Sequence, residues 1–184
     1  VGIPGRFNLE NSIAAAAAAH RSGVSESVIR ESLRNYSGVV RRFDFQIKTP
    51  DFVFIDDYAH HPEELRACIS AVKEIYPGRR ITGVFQPHLY SRTRDLADDF
   101  ARSLELLDEV ILLEIYPARE RPIEGISSEM LLKKIRKVQK LLCRKEDLMA
   151  TLLESKPEIL LTLGAGDIDQ LVEPIKHAFE HLIR

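Results

Sequence analysis

The run Gln86-Pro87-His88-Leu89-Tyr90-Ser91-Arg92-Thr93 holds the densest set of groups able to do chemistry in this chain. Arg92 offers a planar fork suited to a carboxylate or phosphate, and His88 a ring that titrates near neutrality. The run follows an apolar stretch, Ile81 to Phe85, and leads into a predicted helix. The amides and dipole of a helix start favour an anion. Polar residues at the carboxyl end of a buried strand lie where open α/β sheets bind ligands. The chemistry expected here is capture of a small anionic substrate.

The arrangement recurs three more times. Phe52 to Ile55 runs into Asp56-Asp57-Tyr58-Ala59-His60-His61-Pro62, Val110 to Leu113 into Tyr116-Pro117-Ala118-Arg119-Glu120, and Ile159 to Leu163 into Gly164-Ala165-Gly166-Asp167. Four apolar residues in a row, as in Phe52 to Ile55, are expected of a strand buried on both faces. Pro62 suits a first helical position, and Leu65, Cys68, Ile69, Val72 and Ile75 form one apolar stripe after it. Strand, loop and helix in repetition predict an α/β fold with parallel strands and right-handed crossovers. All four loops then share one edge of one sheet, and motifs scattered between Asp56 and Asp167 become neighbours in space.

The 184 residues suffice for one good core with an appendage. A net charge of −2 gives no reason to expect nucleic acid as a partner. No apolar run could span a bilayer and no signal peptide is evident, so neither membrane partner nor export is expected. Cys68 and Cys143 suit a reducing, cytoplasmic setting without a disulfide framework, with Cys68 on an apolar stripe. Residues 1–37 differ from the rest. Ala14 to Ala19 is strongly helix-forming, Asn11 or Ser12 is a candidate cap, and Gly23 a candidate stop. A second helix is expected near Ser25 to Leu33. Residues 1–37 read as the helical tail of a preceding domain, and residues 38–184 as the domain proper, the chain being a piece of a longer protein.

Six motifs, in order, resemble those of the Mur ligases of peptidoglycan synthesis: Pro4 to Asn11, Gly38 to Phe43, Asp56 to Pro62, Phe85 to Thr93, Tyr116 to Glu120 and Gly164 to Asp167. The chain resembles the C-terminal part of the branch that adds alanine. The murein-peptide recycling branch shares the Arg-Arg and His-His-Pro elements but differs across Gln86 to Thr93. The resemblance implies a Rossmann-like, mostly parallel sheet with helices on both faces, preceded by a short helical segment from the central ATPase domain. It implies an ATP-dependent ligation of L-alanine to UDP-N-acetylmuramate through an acyl phosphate. ATP and Mg2+ would serve the full-length enzyme. None is expected to bind this chain tightly, because no Gly-x-x-x-x-Gly-Lys-Ser/Thr loop occurs in it.

The resemblance also carries roles. Asn8 and Asn11 match adenine-contacting asparagines, and a side-chain amide complements adenine's N6/N7 edge. Where the family usually has His before the first of them, this chain has Phe7. Arg42 and Asp57 match positions that hold the ATP ribose and phosphate region. Tyr58, His60, His88 and Arg92 match the alanine pocket: Arg92 for the carboxylate, Tyr58 as a wall against the methyl, His60 and His88 to orient the amine. Together His60, His88 and Arg92 form the catalytic set, one histidine accepting the amine proton. Position 89, usually basic, is Leu89, which leaves more of the carboxylate to Arg92.

Other readings attach to the same residues. Asn11 could be a helix cap, Arg41-Arg42 an exposed basic pair, Asp56 a loop stabiliser and His61 a structural histidine. Gly164 and Gly166 would permit a tight turn. Asp56, Asp57, His60, His61 and His88 have the composition of a dinuclear hydrolase, although no metal is expected, and a non-catalytic nucleotide-binding module is a third possibility. His177-Ala178-Phe179-Glu180-His181 fits a zinc-peptidase pattern without an evident third ligand.

Overall fold

The computed structural model describes residues 4–183. Its centre is a six-stranded sheet built from β1 (Asp44–Lys48), β2 (Val53–Asp57), β3 (Ile81–Phe85), β4 (Glu109–Leu112), β5 (Gln139–Leu142) and β6 (Ile159–Leu163). The strand order is β1-β2-β6-β3-β4-β5; β1 pairs antiparallel with β2, and every other pairing is parallel. The predicted strands stand where expected, with β2 extending through Asp56 and Asp57. The two edge strands are absent from the sequence reading. Gln139–Leu142 is largely exposed and shows no apolar run, and β1 is only half-buried with a bulge between Phe45 and Ile47. Edge strands face water on one side, so the hydrophobic signal that reveals central strands fades there.

Successive side chains of a strand point to opposite faces, and the core divides accordingly. Val53, Ile55, Phe85, Val110, Leu112 and Leu161 pack on one side with Leu65 and Ile69 of α3 (Pro62–Ile75), Phe100 and Leu104 of α5 (Ala97–Leu104) and Leu131 of α6 (Ser128–Lys134). Phe54, Val84, Ile111 and Leu160 pack on the other with Leu148 and Leu152 of α7 (Lys145–Ser155) and Ile175 and Phe179 of α8 (Val172–Ile183). Helices thus cover both faces, as predicted.

The amino-terminal residues form α1 (Arg6–Arg21) and α2 (Glu26–Asn35), neither with a buried residue. Gly5, at a φ of 103°, precedes α1, so Asn11 and Ser12 lie inside the helix and cap nothing. Gly23 does follow its end, at a φ of 85°. The helix expected after Phe85 is two: α4 (Tyr90–Asp95) stops at Leu96, whose φ of −114° and ψ of 15° break the helix before α5 begins.

Candidate amino-acid site at the carboxyl edge of the sheet

Strand β6 lies between β2 and β3, so the loops after β2 and β3 are separated by roughly 10 Å of sheet. They nevertheless lean together over the loop after β6. His60 and His88 have ring centroids 6.0 Å apart. Tyr58 meets His60 edge to face at 5.2 Å, and Tyr116, from the loop after β4, stacks on His88 at 5.6 Å.

The glycine loop makes this approach possible. A Cβ at Gly164, whose φ is 143°, would lie 2.8 Å from the Gln86 carbonyl, and one at Gly166 would lie 2.7 Å from Tyr116 Cβ. Gly164 thus serves the turn as expected. Gly166, with an ordinary φ of −88°, serves close packing instead. Buried Gln86 locks the loop, donating from Nε2 to Asp167 at 2.8 Å and accepting from the Ile168 N–H at 2.9 Å.

Two polar atoms on this rim are buried without a partner: Nδ1 of His88 and Nη1 of Arg92. A buried group without a hydrogen bond costs free energy, so such atoms invite a ligand. Burial, followed by the charges of Arg92 and His60, pushes the His88 pKa below its ordinary value, and Glu120 acts against them. His88 therefore keeps a ring lone pair at neutral pH. His60 Nδ1 lies 2.9 Å from the Tyr58 carbonyl, which can only accept, so the neutral tautomer leaves Nε2 as an acceptor.

The anion expected at the start of α4 is supplied from within. The Ser91 N–H donates to Glu120 Oε2 at 2.9 Å, and the Ser91 hydroxyl to Oε1. The sequence places Gln86, Tyr116 and Glu120 on this edge but assigns none of them a role there. Gln86 and Glu120 act on partners 82 and 29 positions away, a relation that spacing does not encode.

The nucleotide candidates divide between two clefts. Asn8 and Asn11 line one of about 380 Å³ with Ser32 and Tyr36. Arg42 and Asp57 line another of about 270 Å³ with Phe7 and Cys68. Asn8 Nδ2 donates to the Pro4 carbonyl, and Asn11 is exposed. Asp57 accepts from the N–H groups of Phe43 and Ala59 at 2.8 Å each, so both oxygens are engaged by backbone. Burial raises its pKa to about 6 in spite of those bonds.

Arg41 and Arg42 are not an equivalent exposed pair. Arg41 is partly buried and reaches Asp56 at 3.3 Å and the Gly164 carbonyl at 2.7 Å. Arg42 is half-exposed, with its guanidinium 5.3 Å from the Tyr58 ring centre. Asp56, expected to stabilise its loop, also accepts from Thr162 of the neighbouring β6 at 2.6 Å, and so ties β2 to β6 and to Arg41 instead. His61, read as a structural histidine, is the N-cap of α3, its N–H donating to Glu64 Oε2 at 3.1 Å while its side chain is exposed.

With Asp56 and Asp57 so committed, the dinuclear reading loses its bridging carboxylates. Among the described residues no three His, Cys, Asp or Glu side chains converge as a metal centre requires. His177 instead sits within 3.8 Å of both Glu173 and Glu180 on its own helix.

The family profile described as Mur ligase, glutamate ligase domain, matches residues 41–166. The chain belongs to the Mur ligase family. It is 52% identical over all 184 residues to the UDP-N-acetylmuramate--L-alanine ligase of Parabacteroides distasonis, spanning 40% of that protein. The corresponding ligase of Porphyromonas gingivalis strain W83 is 50% identical over 183 residues, 99% of this chain and 40% of that one. Among solved structures, the UDP-N-acetylmuramate-alanine ligase of Thermotoga maritima superposes with a TM-score of 0.80 at 26% identity, covering 97% of this chain and 39% of that one. A murein peptide ligase of Psychrobacter arcticus shares the fold, with a TM-score of 0.68 at 20% identity over 95% of this chain and 37% of that one. This Mur ligase chain therefore spans about 40% of the length of the curated relatives it matches.

Proposed function

We propose that the chain is the carboxyl-terminal, amino-acid-binding domain of an ATP-dependent ligase that joins L-alanine to UDP-N-acetylmuramate in peptidoglycan synthesis. Residues 1–37 are then the helical end of its central ATP domain. Support comes from one observation above all: the unpartnered Arg92 Nη1 and His88 Nδ1 share a rim with His60 and Tyr58. A free amino acid brings what that rim lacks, a carboxylate for the guanidinium and an amine for the imidazoles.

In this reading the muramate carboxylate takes the γ-phosphoryl group of ATP, and the alanine amine displaces phosphate from the acyl phosphate. The amine must first shed a proton, since an ammonium has no lone pair. His88, kept neutral by burial, and Nε2 of His60 are the acceptors this chain offers. Tyr58, held by its N–H to the Arg41 carbonyl at 2.7 Å, walls the side-chain end of the pocket. Of the nucleotide candidates, Asn11 is exposed, Arg42 pairs loosely with Glu64 at 3.9 Å, Asn8 is bonded to Pro4, and Asp57 supports the turn that carries Arg42. ATP and its Mg2+ depend chiefly on a phosphate loop outside this chain. No helix of the described residues is long and apolar enough to cross a membrane, and a cytoplasmic location agrees with the two free cysteines.

The test is ADP release by the full-length protein with UDP-N-acetylmuramate and either L-alanine, glycine, L-serine or a murein tripeptide. Turnover with L-alanine and none with the tripeptide is expected. Turnover that requires the tripeptide would overturn this reading in favour of peptide recycling.

A further inference from the structure

The loop after β4 is fastened to the segment that carries His88 and Arg92. Tyr116 donates its N–H to the Pro87 carbonyl at 2.8 Å, and Leu89 donates its own to the Tyr116 carbonyl at 2.9 Å. Two residues on, the Ser91 N–H and hydroxyl both donate to the carboxylate of Glu120. Glu120 is itself held by its N–H to the Pro117 carbonyl at 2.9 Å, in a turn where Ala118 has a φ of 51°.

Between these fastenings stands Leu89, with a φ of 70°. A leucine in the left-handed region persists only where its surroundings hold it. Leu89 is also the residue before the first turn of α4, and its side chain cannot accept a hydrogen bond from that turn. Glu120 supplies the missing acceptor from another loop, with a negative charge at the favourable end of the helix. His88 precedes the strained residue, and Arg92 directly follows Ser91.

We propose that Glu120 is a positioning residue for the amino-acid site, holding the strained 88–92 segment through Ser91 so that His88 and Arg92 face the same substrate. This rests on the alanine-binding reading above. Without the carboxylate, the start of α4 loses its acceptor and the Leu89 conformation rests on the Tyr116 bonds, so the two substrate-facing side chains lose their common register.

The experiment uses the full-length ligase with Glu120→Ala, Glu120→Gln and Ser91→Ala, and Arg92→Ala in parallel. Glu120→Ala is expected to raise KM for L-alanine roughly ten- to a hundredfold, the scale of a misplaced binding group. KM for ATP and UDP-N-acetylmuramate should stay within about twofold, a split that simple destabilisation would not produce. Glu120→Gln keeps an oxygen toward Ser91 and should restore most of the alanine affinity. The groups around His88 are His60, the Tyr116 ring, Arg92 and Glu120. Removing the negative one should therefore move the acidic limb of kcat/KM to lower pH in Glu120→Gln.

An unchanged alanine KM in Glu120→Ala, or an equal loss of affinity for all three substrates, overturns the proposal. Should Glu120→Ala fail to fold, an unmoved pH limb in Glu120→Gln together with an unmoved alanine KM in Ser91→Ala overturns it. If Arg92→Ala raises the alanine KM while Glu120→Ala does not, only the positioning role falls. If Arg92→Ala is also silent, the alanine-binding reading itself falls.

Discussion

Gln86 donates its side-chain amide to the carboxylate of Asp167 at 2.8 Å, joining two residues 81 positions apart. The same Gln86 accepts the Ile168 N–H, and Lys145 pairs with Asp167 from the start of α7. This bridge fixes the height of the glycine loop between the two histidine-bearing loops. The site is thus assembled around a buried amide whose side-chain hydrogen bonds go to Asp167 and Ile168.

Replacing that amide should be costly. Gln86→Ala strands the buried Ile168 N–H, and an unsatisfied buried donor costs about 1–3 kcal/mol. A loss of this size lowers Tm by roughly 2–12 °C in a domain of this length. Differential scanning calorimetry of wild type and variant measures it, and an unchanged Tm would remove the bridge from the account.

Gly166→Ala should act on the site more than on the fold. Its new Cβ meets Gln86 Oε1 and lies 2.7 Å from Tyr116 Cβ, and Tyr116 is the residue stacked on His88. The expected outcome is a higher alanine KM with ATP affinity retained, read by steady-state kinetics of the full-length enzyme. Gly164→Ala should destabilise by about 1–3 kcal/mol, because its φ of 143° is one that side chains with a Cβ rarely adopt.

Arg92→Ala removes a charged donor from the proposed carboxylate. Hydrogen bonds to charged groups contribute about 1.5–3 kcal/mol, so the alanine KM should rise roughly ten- to a hundredfold. Arg92→Lys keeps the charge but loses the two-pronged geometry, and should recover only part of that loss. Titration of alanine analogues without the carboxylate should show no difference between wild type and Arg92→Ala.

Stability should fall as pH rises from about 4 to 6. Burial, the largest influence on Asp57, raises its pKa from 3.8 to about 6, so the folded protein binds the proton more tightly than the unfolded chain. Where the native state holds more protons, unfolding free energy decreases with pH. Asp56, also raised by burial, adds in the same sense, while His88, lowered by burial, acts oppositely nearer pH 6.5. Urea midpoints across this window should decline in wild type, and Asp57→Asn should flatten the slope while lowering stability at every pH.

Both thiols should be silent in the native protein. Cys68 is 1% and Cys143 5% exposed, and burial pushes the Cys68 thiol well above its ordinary pKa. Thiol titration should count neither until denaturant is added. Rapid native labelling of Cys68 would mean that the cleft beside Asp57 opens.

The central strands and their helices were legible because burial on both faces leaves a mostly apolar run, unbroken in Phe52–Ile55 and Val110–Leu113. The shared edge followed from the parallel connections, and the amino-acid-site candidates from residue chemistry and resemblance. The edge strands left no such run. Gln139–Leu142 becomes a strand because β4 offers it a ladder, not because its sequence demands one. Asp57 illustrates the same division at the candidate site: its position at a strand end is local information, but its engagement by Phe43 depends on where β1 turns back. Likewise Glu120 carries a charge that any reading can see, yet its partner Ser91 comes within reach only once β3 and β4 lie side by side. Local chemistry determines which groups a chain can offer; strand order and loop closure decide which of them meet, since hydrogen bonds act over a few ångströms and sequence distance does not limit them.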